Sequence, residues 1–235
     1  MKKIVFTTGG LVVGRLARGA TLIAAAWLLA MGQVAFAQDE VQDNTPGVGH
    51  NHEELNNVFN TIRQILPAPG EIIHQPFSDN LDHYGLGAWM VDDEVVAGGK
   101  AFRLQNSNAR KNVWDAAALK YLAQGIAPRD KVVMVFLART EELPKDAGTG
   151  KLFTQIVVNE TPFPTLFKKE FEIGTEWGMY AIAGAANRSF PVGKTQVAFQ
   201  FGTTEQTIDI GPVFILNLGK DVKLKEVKEA LNIDS

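Results

Sequence analysis

The chain has 235 residues, no cysteine, and 23 basic against 26 acidic side chains, a net charge of −3. Without cysteine there is no disulfide framework, no thiolate nucleophile and no lipid-modified N-terminal cysteine. Mild acidity gives the chain no reason to seek nucleic acid or an anionic membrane, and its length asks for one domain of ordinary size.

The N-terminus carries Lys2, Lys3, Arg15 and Arg18 ahead of a short apolar run, TLIAAAWLLAM, and a small-x-small site at Ala35-Phe36-Ala37. This is the layout of an export signal, and cleavage is expected after Ala37. The run is too short to span a bilayer comfortably, which takes roughly 20 residues; an uncleaved anchor is the alternative. Removing residues 1–37 takes away four bases and no acid, leaving a 198-residue chain with 19 basic and 26 acidic groups, net −7. The expected location is periplasmic or secreted. Residues 38–54 are polar, hold Pro46, Gly47 and Gly49, and read as a flexible linker. His50 and His52 lie in it, with no third or fourth ligand nearby to complete a metal site.

Leu55, Val58, Phe59, Ile62, Ile65 and Leu66 recur at helical spacing, and Pro67 and Pro69-Gly70 end the pattern. An amphipathic helix is expected within residues 55–69. It docks on its own domain or on a partner.

Short β patterns follow. Strands are expected at 88–91 and 94–96, then at 100–106, where Phe102 and Leu104 face one way and Ala101, Arg103 and Gln105 the other. Residues 115–126 have helix propensity, yet Ala117, Leu119 and Tyr121 against Ala116, Ala118 and Lys120 also permit a strand. Pattern alone leaves this open. Residues 131–139 (KVVMVFLAR) are the most β-branched run and should form a central strand. Further strands are expected at 151–159, 167–173 and 177–183. Residues 195–220 then read as a hairpin: Val197, Phe199 and Phe201 alternate with Gln196, Ala198 and Gln200, and the second run holds a Gly211-Pro212 interruption that suits a bulge or an edge. The tail after 222 reads as linker, strand extension or helix. Eight to ten short strands with regular turn signals argue for an antiparallel sandwich or barrel.

The sequence holds no Gly-x-Ser-x-Gly, no His-Glu-x-x-His and no Gly-rich phosphate loop. Asp92-Asp93 and Glu141-Glu142 are adjacent pairs, which on extended chain face opposite ways and do not make an acid/base pair. No enzyme activity is expected.

Trp114-Asp115, the turn Ala127-Pro128-Arg129-Asp130 before an apolar strand, Glu176-Trp177, Gln206-Thr207 with Gly211, and the segment from Leu216 to Lys220 occur in this order. In that pattern the chain resembles the galactose-binding-like β-jelly-roll carbohydrate-binding domains found ahead of family 10 glycoside hydrolases. The resemblance covers about residues 70–225. It implies an all-β, antiparallel two-sheet jelly-roll sandwich following a short N-terminal helix, with residues 226–235 as a tail. Under it, residues 114–126 become strand and loop. Related domains hold a structural calcium with an Asp where this chain has Gly211, so that ligand is missing and no cofactor is expected.

The resemblance implies a non-catalytic domain binding a plant or microbial polysaccharide or oligosaccharide; the alternative is an envelope structural or protein-interaction domain with the same fold. Another envelope protein or a glycoside hydrolase is a further partner, and nucleic acid is not. The polar residues that alternate with apolar neighbours should point away from the core. Arg103, Gln105, Gln155, Gln196 and Gln200 are therefore the expected sugar contacts, with Trp114 as a stacking surface.

Overall fold

A computed structural model describes residues 52–74 and 81–233. The expected signal peptide at 1–37 and nearly all of the expected linker lie outside the described residues. The first element is helix α1 (His52–Ile65), which begins three residues before the expected start at 55, inside the expected linker. Glu53 and Glu54 occupy its first turn, where carboxylates favour a helix N-terminus.

The strands are β1 (Glu71–Ile72), β2 (Asp82–Tyr84), β3 (Gly87–Asp92), β4 (Lys100–Asn106), β5 (Ala117–Tyr121), β6 (Lys131–Glu142), β7 (Gly150–Val158), β8 (Thr165–Ile173), β9 (Gly178–Ala185), β10 (Thr195–Gln200) and β11 (Gln206–Asn217). A second helix, α2 (Leu224–Ala230), closes the described chain. One sheet runs β3-β4-β11-β6-β9, with β1 also paired to β11; the other runs β2-β5-β10-β7-β8. Every pairing is antiparallel. The two sheets form the expected jelly-roll sandwich.

Two expectations about local structure change, at 94–96 and at the 195–220 hairpin, and the reading left open at 115–126 resolves to the strand and loop that the resemblance implied. Residues 94–96 form a turn, because Asp93 Oδ1 accepts the Val95 N–H at 2.9 Å and Gly99 N–H closes onto Val96 O at 2.9 Å. Residues 117–121 form strand β5, so packing overrides helix propensity. The runs at 195–200 and 206–217 do not make a hairpin: β10 lies in one sheet and β11 in the other. The intervening corner is pinned by Asn106, whose Nδ2 donates to the carbonyls of Phe201, Gly202 and Thr204 at 3.1, 3.2 and 2.7 Å.

Phe136 is the centre of the space between the sheets. Its ring meets Phe171, Phe199 and Tyr180 at centroid distances of 5.3, 5.6 and 5.6 Å. Val197, Phe199 and Phe201 all enter this core, as their alternation requires. Gly211-Pro212 does form a bulge: β11 advances from Ile210 to Val213 while β6 retreats from Ala138 to Phe136.

The outer face of the β6-containing sheet is covered over much of its length. Val133, Val135, Ala181, Ala183, Phe214 and Leu216 pack under Ile62 of α1 and Leu66 just after it, and under Val227 and Leu231 at α2. The α1 stripe thus docks on its own domain. Ile62 is 2% exposed there. Ile62→Ala is expected to destabilise the fold by about 2–5 kcal/mol, read as a lower urea midpoint.

Candidate functional site

The other sheet presents an outer face with a different character. Its central strand β10 sends Gln196, Ala198 and Gln200 outward. In register beside them stand Tyr121, Leu119 and Ala117 of β5, and Val157, Gln155 and Phe153 of β7. β2 extends the surface with Asp82 and Tyr84, opposite Leu119 and Ala117. β8 extends it on the far side with Lys168 and Glu170, opposite Gln155 and Phe153. Directly paired residues share a face, so the register alone sets this grid.

The grid has a recessed floor and a raised aromatic margin. Gln196 and Gln200 are 6% and 5% exposed, whereas Tyr84 and Tyr121 are 46% and 39% exposed. From Gln196 to Gln200 the strand covers about 13 Å at strand rise. Gln155 Nε2 donates to Gln200 Oε1 at 3.3 Å, and Asn159 Nδ2 donates to the Tyr121 hydroxyl at 2.9 Å. The Tyr121 O–H proton stays free to donate elsewhere. Gln196 Oε1 is buried and has no hydrogen-bond partner among the described residues. An acceptor left in that state costs about 1–3 kcal/mol.

Local structure holds the Tyr84 end of this surface. The turn at 112–115 is closed by Asp115 Oδ2, which accepts the Asn112 N–H at 2.9 Å. Gly85 packs onto it with φ +70°, and a Cβ there would sit 2.1 Å from Asp115 O. Only glycine fits such a position. Partial burial, followed by the nearby Asp115 charge, raises the Tyr84 phenol above its ordinary pKa. Trp114 sits in this turn, 58% exposed, three residues before β5 begins at Ala117. It lies at the same end of the sheet as Tyr84 and Gln200.

The expected site residues therefore separate. Gln155, Gln196 and Gln200 share one floor, with Trp114 at its end. Arg103 and Gln105 belong to β4, in the opposite sheet, and do not join them. Alternation tells which side of its strand a residue occupies but not which sheet the strand enters. Sequence reasoning also passed over Tyr84, Tyr121, Phe153 and Asn159. The phase of Ala117, Leu119 and Tyr121 was legible, but the competing helix propensity hid its meaning.

Arg103 has a different task. Its Nε and Nη2 donate to Asp209 Oδ1 and Oδ2 at 2.8 and 2.9 Å. Arg139 reaches the same carboxylate through Nε at 3.1 Å, and its Nη2 meets Asp93 and Glu141 at 3.0 and 3.1 Å. Trp177 lies 5.1 Å from the Arg139 guanidinium and donates Nε1–H to Asp93 at 3.2 Å. The Asp209 side chain is wholly buried. The hydrogen bonds to it raise the Arg103 pKa further, so the guanidinium is charged at every accessible pH. Gln105 Nε2 is turned toward Glu142 at 3.4 Å.

Gly211 sits beside this network. A Cβ there would lie 2.7 Å from Val96 Cγ2, 3.1 Å from Leu137 Cβ and 3.3 Å from Trp177. These three neighbours crowd the position where the resemblance would place an acidic calcium ligand.

No family profile matches the chain, and no curated protein matches it. Solved structures do. A CBM4 carbohydrate-binding module is similar with a TM-score of 0.47 and 13% identity, over 58% of this chain and 94% of that one. The CBM22-1-GH10 modules of Clostridium thermocellum xylanase 10B, complexed with xylohexaose, also give 0.47 at 13% identity, over 66% of this chain and 30% of that one. The N-terminal cellulose-binding domain of Cellulomonas fimi β-1,4-glucanase C gives 0.45 at 14% identity, over 66% of this chain and 99% of that one.

Asp209→Asn leaves two guanidinium groups without their shared buried anion. The expected loss is about 3 kcal/mol in urea denaturation. The floor around Gln196 is in the other sheet, so its arrangement is expected to be unchanged in the folded variant.

Proposed function

We propose that this chain is an exported, non-catalytic saccharide-binding module that takes a polysaccharide or oligosaccharide across the outer face of the β2-β5-β10-β7-β8 sheet. The observation that carries this reading is Gln196: a buried amide oxygen on an outward face, without a protein partner, beside the exposed Tyr121 ring. A rotation of the Gln196 side chain opens this acceptor to a ligand donor, and a sugar hydroxyl is one.

The chemistry is recognition alone. Tyr84, Tyr121 and Trp114 offer ring faces to the C–H face of a pyranose, while Gln155, Gln196, Gln200 and Asn159 supply amide donors and acceptors for hydroxyls. The row of amides lies along the strand, so the ligand is a chain of sugars lying parallel to β10. Export rests on the signal pattern in residues 1–37, and no helix among the described residues is long and apolar enough to cross a membrane. Against a protein contact through the first helix stands the burial of Ile62 and Leu66, 2% and 7% exposed, on the chain's own sheet.

Affinity electrophoresis on a panel of neutral and acidic polysaccharides tests the reading: retardation is expected on at least one, and free migration on all of them overturns it. On the retarding glycan, Gln196→Ala is expected to weaken binding about tenfold, the value of one hydrogen bond of about 1.4 kcal/mol. Tyr121→Ala is expected to weaken it about fivefold through the lost ring face. The raised Tyr84 phenol remains protonated through its ordinary range. As an acid with a raised pKa, it contributes stability that persists up to about pH 10 and fades as the pH climbs through the folded value. Binding measured from about pH 6 to about pH 9 is therefore expected to show no step from this group.

A further inference from the structure

The β6-containing sheet has a gap, and the gap is a cavity. Along the edge of β11 away from β6, β4 stops pairing at Ile210, and β1 starts only at Leu216. The bulge at Gly211-Pro212 is the cause, because proline has no N–H to continue a ladder. Between these two strands α1 crosses the opening and leaves a space of about 330 Å³. An engineered apolar cavity of about 150 Å³ is enough for benzene, so this one has room for about two rings or a medium acyl chain.

Its walls are Leu55 and Phe59 of α1, Ile72, Met90, Phe102 and Val213. Its polar boundary includes Asn56, His74 and Lys100. Glu54, beside Leu55, already accepts the Gly98 N–H at 3.1 Å. Lys100 Nζ meets Asp92 at 3.5 Å, and that carboxylate side chain is 87% exposed. A pair of that length and exposure is weak and exchangeable. The cavity thus combines apolar walls with a cation whose present partner is easily replaced.

From this combination we infer that the space between α1 and the gap in the sheet is a second ligand site, for a monocarboxylate with an apolar body of up to about ten heavy atoms. The body lies between Phe59 and Phe102, and the carboxylate replaces Asp92 at Lys100. This site is separate from the saccharide floor, which lies on the other sheet, and does not depend on it.

Calorimetric titration of the chain with octanoate and, in parallel, with octan-1-ol tests this. Octanoate is expected to bind with one-to-one stoichiometry and at least fivefold more tightly than the alcohol. Ala101→Leu, which narrows the cavity from β4, is expected to weaken octanoate about tenfold or more, and Lys100→Gln about fivefold. If Ala101→Leu shows no cooperative unfolding transition, Leu55→Trp blocks the same space from the half-buried helix side and is read the same way. Absence of saturable octanoate binding, equal affinity for octan-1-ol, or unchanged affinity in the narrowed variant each overturns the assignment. Retardation on polysaccharide is expected to be the same for parent and variants, which separates this result from that of the saccharide floor.

Discussion

The corner between β10 and β11 is the constraint on which the architecture depends. A chain leaving the centre of one sheet must cross the sandwich and enter the centre of the other within five residues. The carbonyls exposed by that crossing would be buried without partners, a costly state. Asn106 resolves this with one amide group that serves Phe201, Gly202 and Thr204. Gly202 completes the corner, since a Cβ there would lie 2.5 Å from Asn112 O. Immediately after it, Gln206 ties the start of β11 to β7 through both atoms of its amide: Oε1 accepts Lys151 N–H at 2.9 Å, and Nε2 donates to Lys151 O at 2.5 Å. The two sheets are thus joined by amide side chains at the place where the chain changes sheets.

That crossing gives the two outer faces different fates. β11 and β6 become central strands of a sheet buried on both sides. Helices cover one part of its outer face, Val96 and Trp177 cover Leu137 and Gly211, and the Arg103–Asp209–Arg139 cluster closes the rest. Each cover satisfies what lies beneath it: apolar residues meet apolar residues, and the buried carboxylate meets two guanidinium groups. β10 becomes the central strand of the sheet that retains an outward row of amides. On that face, among the described residues, a buried acceptor, Gln196 Oε1, has no protein partner while exposed tyrosine rings stand beside it. That juxtaposition is the physical basis for proposing ligand recognition on the second sheet.

The bulge in β11 shows how a local interruption has distant consequences. Gly211 is needed because Val96 and Leu137 leave no room for a side chain. Pro212 follows and ends the ladder to β4. The sheet parts there, α1 crosses the opening, and the cavity between them is the result. A residue pair that reads in sequence as a simple strand break is in space the edge of a pocket.

The sequence by itself determined the secondary periodicities. The helical stripe from Leu55 to Leu66, the inward set Val197, Phe199 and Phe201, the inward Phe102 and Leu104, and the bulge at Gly211-Pro212 are local consequences of spacing and backbone chemistry. Only the tertiary structure decided which strands became neighbours. Arg103 and Gln196 carry the same outward pattern, yet one neutralises a buried aspartate and the other lies in an open amide floor on the opposite sheet. The physical reason is that alternation records a residue's side of its own strand, whereas sheet membership is set by pairings between strands as far apart as β4 and β11. The same reason separated the two halves of the apparent hairpin and turned residues 117–121 from a helix-compatible run into the strand that brings Tyr121 beside Gln196.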